Sequence, residues 1–263
     1  SYGFRMKTDS ENKLTRNTGF YERTSKLTRN FVDARGFWLP NDYTKHGVIN
    51  EYNACREDAV LIDLSSLRKF EILGPDAEEL MNYTLTRNVK KLSVGQIVYS
   101  AMCYENGTMF DDGTLLKLSD HGFRWICGDE YGGEWLKEQA KKKNYKVHIK
   151  NSTDQINNLS LQGPKSRKIL EKIIFTPPTQ PSISELEWFR FTICRLEELN
   201  GIPLIVSRTG YTGELGFEIW CHPSNATTVW DKVMEAGKDE GLIPAGFALS
   251  LIHISEPTRQ IVI

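Results

Sequence analysis

The sequence predicts an α+β fold. Strands and helices intermix along the chain without a regular βαβ alternation, two separate segments run from a strand through Gly-Pro into a helix, and two further stretches read as β-hairpins.

The strand-to-helix units are KFEILGPDAEELMNY (69–83) and NLSLQGPKSRKILEK (158–172). Pro75 and Pro164 fall in the first helical turn, where a missing N–H leaves no bond unmade. Counting from each glycine, Leu80 matches Ile169 and Met81 matches Leu170, which reads as two related α/β halves sharing one core; the alternative is coincidence in a short match. Between them, QIVYSAMCYENGTMFDDGTLLKL (96–118) alternates around Asn106-Gly107, a pair suited to the two positive-φ positions of a type I′ turn, and Asp111 and Asp112 fall on the returning strand. FRWICG (123–128) reads as a strand. GEWLKEQAKKK (133–143) reads as a helix with Trp135, Leu136 and Ala140 on one face and a solvated lysine cluster at its end. TPPTQPSIS (176–184) has three prolines and no periodicity, so it is a connecting loop. FRFTICRLEELNGIPLIVSRTGYTGELGFEIW (189–220) forms another hairpin about Asn200-Gly201. Ser224 then caps a helix striped by Val229, Val233 and Ala236.

Composition excludes several classes. A formal charge of −1 over 263 residues gives no basic field for nucleic acid or an anionic membrane, so an anionic ligand must be met by local groups. No apolar run approaches a membrane span, and SYGFRMKTDSENK at the start has neither an apolar core nor an acid-free, Arg-rich character, which predicts a soluble, cytoplasmic-type protein. The five cysteines are odd in number and lack C-x-x-C, and the five histidines show no H-x-x-x-H pair, so neither a disulfide framework nor a metal site is expected.

SRTGYTGELGFEIW (207–220) is the richest motif. Gly210, Gly213 and Gly216 allow positive φ and close backbone approach, while Tyr211 offers a flat π-face and Glu214 a pair of acceptors. That combination suits a flat heterocycle presenting a ring N–H beside an exocyclic amine. The structural alternative is a glycine-rich hairpin with an exposed tyrosine and glutamate.

Together with DLSSLRKFEILGPDAEEL (63–80), LTRNVKKLSVGQIVYS (85–100), NGTMFDDG (106–113), LSLQGP (159–164) and GLIPAGF (241–247), this motif resembles the aminomethyltransferase family over residues 18–247. The family includes the glycine-cleavage T-protein, the folate domains of sarcosine and dimethylglycine dehydrogenases, and dimethylsulfoniopropionate demethylases. The resemblance implies two interleaved α/β subdomains, a C-terminal β-barrel, tetrahydrofolate as cofactor and one-carbon transfer to the folate. It implies that Asp111 is the functional carboxylate of the acidic pair, with an electrostatic and orienting role; strand alternation alone does not choose between Asp111 and Asp112. On a strand, Asp111 would share a face with Met109, Gly113 and Leu115, where Gly113 leaves room and the apolar neighbours reduce solvation. Glu214 resembles the residue that grips the pterin, with Gly210 and Gly213 shaping the loop. Tyr211 and Tyr99 are candidates for lining the pocket, although Tyr99 is equally compatible with a core-facing strand tyrosine.

Departures from the family pattern fall on the donor side. DLSSLRK stands where glycine-cleavage proteins usually read like DVSHMGK, so Ser66 replaces the histidine and Arg68 the glycine; ICGDEYGGEW (126–135) resembles the dehydrogenase-linked members. The glycine-cleavage reaction, with a lipoyl-bearing carrier protein as partner, is the leading expectation. A small-molecule methyl donor, as in demethylases or dehydrogenase-linked folate domains, is the alternative. A non-catalytic iron–sulfur maintenance role is disfavoured, because those relatives carry a cysteine in the glycine motif where this chain has Tyr211-Thr212. The division expected is a first α/β part over 7–150 with the Asp111 hairpin, a second over 151–248 with the glycine motif, and a non-native tail over 249–263. The family match stops near Phe247, and LSLIHISEPTR resembles a translated sequencing-library adapter, so the barrel domain is expected to be missing and the chain as written inactive.

Overall fold

The computed structural model describes residues 14–249. In chain order these form β1 (Arg16–Asn17), α1 (Tyr21–Thr24), β2 (Phe31–Ala34), β3 (Phe37–Pro40), α2 (Gly47–Glu57), β4 (Ala59–Asp63), β5 (Arg68–Leu73) and α3 (Ala77–Thr84). There follow β6 (Ile97–Cys103), β7 (Met109–Ser119), β8 (Gly122–Cys127), α4 (Tyr131–Lys143), β9 (His148–Asn151), β10 (Asn157–Gln162) and α5 (Ser166–Glu171). The last are β11 (Ile174–Phe175), β12 (Phe191–Leu196), β13 (Pro203–Ser207), β14 (Gly216–Cys221), α6 (Ala226–Gly237) and β15 (Leu242–Ala245).

The strands make a seven-stranded sheet in the order β11-β12-β13-β14-β10-β4-β15, a five-stranded sheet β6-β7-β8-β5-β9 and a small sheet β1-β3-β2. Apolar clusters fix the layering. Ile169, Leu170, Val229 and Val233 of α5 and α6 pack with Leu159, Leu161, Phe217 and Ile219 on the outer face of the large sheet. Leu80, Met81, Trp135 and Leu136 of α3 and α4 cover Phe70, Ile72, Leu115 and Trp125 on the outer face of the five-stranded sheet. Ile97, Leu116 and Ile126 then meet Phe191 and Trp220 between the two sheets. The result is helices, sheet, sheet, helices, with each strand apolar toward its own helix layer. Sheet membership does not follow the chain halves: β4, from the first part, lies between β10 and the parallel β15 of the second part in the large sheet, so the two parts interleave.

The paired strand-to-helix units are alike in three dimensions. Gly74 and Gly163 adopt φ of +138° and +132°, and each lies against the backbone of another segment, at Lys146 and Asp58 respectively. Each carbonyl accepts the first helical N–H, from Ala77 at 3.1 Å and from Ser166 at 3.0 Å. Leu80 and Met81 in one core, Ile169 and Leu170 in the other, are all fully buried.

Three local expectations are corrected. At the β6–β7 hairpin only Gly107 takes positive φ (+83°). The Gly107 N–H bonds to Tyr104 O and the Tyr104 N–H to Thr108 O, giving a three-residue loop with a left-handed glycine rather than a two-residue type I′ turn. At the β12–β13 connection the left-handed residue is Glu197 (+63°); Gly201 is needed because a Cβ would collide with Leu196 O. Ser224 lies in a short 3₁₀ turn whose cap is His222, and α6 begins two residues later, so Ser224 is not its N-cap. Among the described residues every strand belongs to one of the three sheets, and none forms a C-terminal barrel. The expected non-native tail lies outside the described residues except for Leu249, which packs with Cys55, Val60, Ile62 and Leu64.

Candidate functional site

A cavity of about 350 Å³ opens between the two sheets, lined by Tyr99, Asp111, Asp112 and Cys127 from the smaller and by Tyr211 and Glu218 from the larger, with Arg35 and Phe189. The acidic pair reaches it through an irregularity in β7. Met102 pairs with Asp111 but Cys103 with Met109, so Phe110 is the extra residue and turns onto the helix side, where it packs with the outer core. Asp111 is half-buried and both of its oxygens accept backbone N–H groups: Oδ1 from Asp112 at 2.9 Å and Oδ2 from Asp129 at 3.0 Å. Exposed Asp112 instead accepts the Tyr99 hydroxyl, which raises the pKa of that tyrosine. Tyr99 is 53% exposed and so is not a core tyrosine. Gly113 makes room for strand packing rather than for a ligand, since a Cβ there would strike Ile126 O. Cys127 is buried beside Asp111, and burial followed by that carboxylate pushes its thiol pKa up.

Arg35 was not anticipated. It forms the β2–β3 turn with Gly36, at φ of +55° and +80°, and its Nε donates to Gly128 O at 3.0 Å on the chamber wall. Arg68, 7% exposed, donates through Nη2 to Arg35 O at 2.6 Å; the residue that departs from the family pattern thus ties this turn to the five-stranded sheet. The signal available in the sequence was Arg-Gly between two β-prone runs, FVDA and FWLP.

Glu218 is the second unanticipated group. Along β14, Phe217 and Ile219 face the helices while Glu218 and Trp220 face the other sheet; along β10, Ser160 pairs with Glu218 in the same inward row. A buried glutamate on a strand whose alternate residues, Phe217 and Ile219, belong to the core marks a polar wall. Its Oε2 accepts the Thr209 hydroxyl, Thr209 shares a 2.8 Å hydrogen bond with Ser207, and Trp220 Nε1 donates to Ser207 at 3.0 Å. Oε1 takes no hydrogen bond from the described residues, and burial raises the carboxyl pKa. Behind it Lys69 is fully buried, with Nζ donating to Ser65 O at 2.8 Å and its pKa lowered to about 7 by burial, against the pull of Asp63 and Glu218.

The glycine loop divides its residues between two places. Tyr211 lines the chamber, Gly213 and Glu214 line a neighbouring groove of about 670 Å³, and Gly210 lines both. Glu214 Oε1 accepts from Arg56 Nη1 at 2.8 Å, and Arg56 also holds Thr212 O at 2.9 Å. Only Gly213 takes positive φ (+72°). Gly210 and Gly216 are required because a Cβ on either would strike the amide of buried Gln162, which donates to Thr209 O and accepts from Thr212. Tyr211 is 40% exposed, yet its hydroxyl end lies inward, where burial and Glu218 raise its pKa.

Phe189 lines the chamber with φ of +56°, a conformation costing a bulky residue about 1–3 kcal/mol. Its backbone is fixed from both sheets: Ile97 N–H donates to Phe189 O at 2.8 Å, and Phe189 N–H to Arg208 O at 3.0 Å.

The model of the GCVT N-terminal domain matches residues 20–251 of the sequence. The chain belongs to this family. A trimethylamine-oxide aldolase of Ruegeria pomeroyi is 51% identical over 252 residues, which are 95% of this chain and 32% of the relative. An aminomethyltransferase of Alkaliphilus metalliredigens is 36% identical over 218 residues, 82% of this chain and 56% of the relative. The GCVT chain thus spans well under two thirds of these relatives. Among solved structures, the glycine cleavage system aminomethyltransferase T from Bartonella henselae superposes with a TM-score of 0.76 at 24% identity, covering 90% of this chain and 61% of that one. The heterotetrameric sarcosine oxidase of Corynebacterium sp. U-96 gives 0.55 at 12% identity. Both likenesses concern the fold.

Proposed function

We propose that this GCVT domain binds tetrahydrofolate in the chamber and is the carbon-accepting part of a larger one-carbon transferase. The observation that carries the reading is the pairing of a buried glutamate, Glu218, with a half-buried aspartate, Asp111, across a cavity bounded by the rings of Tyr99, Tyr211 and Phe189. About 350 Å³ suits a bicyclic heterocycle, and the unbonded Glu218 Oε1 is an acceptor for ring donors. Bound tetrahydrofolate supplies the nitrogen that accepts the carbon. Asp111 is fixed in position by two backbone N–H bonds, so its carboxylate can stabilise cationic charge developing beside it without moving. Tyr211 and Phe189 offer ring surface to the bound heterocycle. Glu214 remains a candidate for the outer part of the same ligand, held in place by Arg56.

The donor expected first from sequence was an aminomethyl group on a lipoyl-bearing carrier. The 51% identity to a trimethylamine-oxide aldolase favours a second reading, in which the carbon comes from a methylated amine or its oxide. Arg68 and its hold on Arg35 fit that divergence, because they rebuild the side of the chamber where glycine-cleavage proteins carry a glycine. Calorimetry with tetrahydrofolate on the full-length polypeptide, followed by a comparison of trimethylamine N-oxide with an aminomethylated lipoyl carrier as carbon source, separates these readings. Absence of tetrahydrofolate binding would remove both.

A further inference from the structure

A cavity of about 300 Å³ opens on the helix side of the five-stranded sheet, between the end of α3, the β6–β7 turn and α4. Tyr83, Thr84, Cys103, Tyr104, Trp135 and Gln139 line it, and it shares no lining residue with the chamber. Two side chains at this cavity are unmet. Trp135 and Gln139 stand one turn apart on α4, which sets them side by side. Gln139 is 1% exposed, and neither its Nε2 nor its Oε1 has a hydrogen-bond partner among the described residues; the buried Trp135 Nε1 has none either. Neighbouring groups are satisfied: the Thr84 hydroxyl donates to Leu80 O at 2.9 Å, and Glu105 accepts from Lys142 at 2.9 Å. A buried amide without partners has given up its hydration for nothing in return.

We propose that this cavity is a second ligand site, separate from the chamber, and that it takes a cyclic imide of the uracil type. The unmet groups are a donor, an acceptor and a donor: Gln139 Nε2, Gln139 Oε1 and Trp135 Nε1. An imide edge is their complement, a ring N–H between two carbonyls. The ring N–H donates to Oε1, one carbonyl accepts from Nε2, and the other accepts from Trp135 Nε1. Competing chemistries fit less well. A carboxylate has no donor for Oε1, and a simple amide leaves one of the two N–H donors unanswered. Both amide atoms lie beneath the cavity surface, so pairing requires the amide to turn about its terminal torsion, which is broad for glutamine. Tyr83 and Tyr104 supply ring faces at the walls, Tyr104 standing edge-on to Trp135 at 5.4 Å. A volume of about 300 Å³ lies at the small end for ligand pockets and suits one ring with a sugar toward the mouth.

The test is calorimetric titration of the full-length polypeptide with uridine and with 3-methyluridine, in which a methyl group replaces the ring N–H. Uridine is expected to bind and the methylated form to bind at least about tenfold more weakly, because the central hydrogen bond is lost and Oε1 stays unpaired. Gln139→Leu keeps the volume and removes the unmet groups, so uridine binding should be lost while the urea midpoint holds or rises. Absence of uridine binding overturns the inference, and so does equal affinity for the two nucleosides, a comparison that needs no variant to fold. A lower urea midpoint in Gln139→Leu with uridine binding retained shows that the amide is satisfied within the fold, and overturns it as well. Binding that is lost in Glu218→Gln but kept in Gln139→Leu assigns the ring to the chamber and overturns the proposal.

Discussion

Glu214 and Glu218 lie four residues apart in one motif and meet opposite surroundings. Glu214 sits in a loop, partly solvated and satisfied by Arg56; Glu218 sits on a strand, buried, with one oxygen open to the chamber. Glu218→Gln is therefore expected to weaken tetrahydrofolate binding by about 1–3 kcal/mol, the cost of mismatching buried ring donors, and Glu214→Gln by about 1 kcal/mol or less, as for a partly exposed ion pair. Calorimetry on the two variants checks the order. Asp111→Asn conserves shape and the Asp129 contact through one oxygen, so folate affinity should hold while carbon transfer slows about a hundredfold; equal slowing by Asp112→Asn would point to the pair rather than to Asp111. The glycine motif pointed to Tyr211 and the family resemblance to Asp111, and both line the chamber. Glu218 was hidden in GFEIW, because its meaning depends on which face of β14 is inward, and that is fixed only by the opposing sheet. Cys127 adds a safeguard. Its raised pKa keeps it a thiol, so slow labelling by iodoacetamide at pH 8, compared with an ordinary exposed cysteine, is expected.

Among the elements, the twin Gly-Pro turns bear the tightest constraint. Gly163→Ala and Gly74→Ala each place a methyl into neighbouring backbone at φ values that alanine avoids, and each should cost about 2–4 kcal/mol. Gly107→Ala, with open space around it, should cost only about 1 kcal/mol for its positive φ. Urea unfolding of the three variants checks that difference. The long elements after residue 68 could be read from hydrophobic alternation and helical stripes, since each buries one face against its own layer. The small sheet could not: β1 to β3 have two to four residues each, too short to show a period, and Arg35 reaches the chamber only because the turn between β2 and β3 is folded over the five-stranded sheet. The turn types were missed for a related reason. Asn-Gly permits a type I′ turn, but the β-bulge at Phe110 and the left-handed Glu197 set the actual loop lengths.

At the scale of the molecule, the buried charges between the sheets make stability depend on pH. The Lys69 pKa falls from 10.5 to about 7 on folding, so between those values the unfolded chain binds the additional proton and stability rises with pH; below about 7 the penalty is constant. Asp63 and Glu218, raised by burial, act with the opposite sign, and comparison with Lys69→Met isolates the lysine. The urea midpoint should increase from pH 7 to pH 9 in the parent, with a flatter profile in the variant. The placement of the chamber carries a last consequence. Its walls come from the β2–β3 turn, from β6 to β8 and from β14 with its preceding loop, so no single layer owns a binding site, and whatever binds there is a clamp between layers. Occupancy should therefore slow amide exchange in β7 and β14 together, raising the free energy of sheet separation by RT ln(1 + [L]/Kd), while exchange at the outer ends of α4 and α6 stays unaltered.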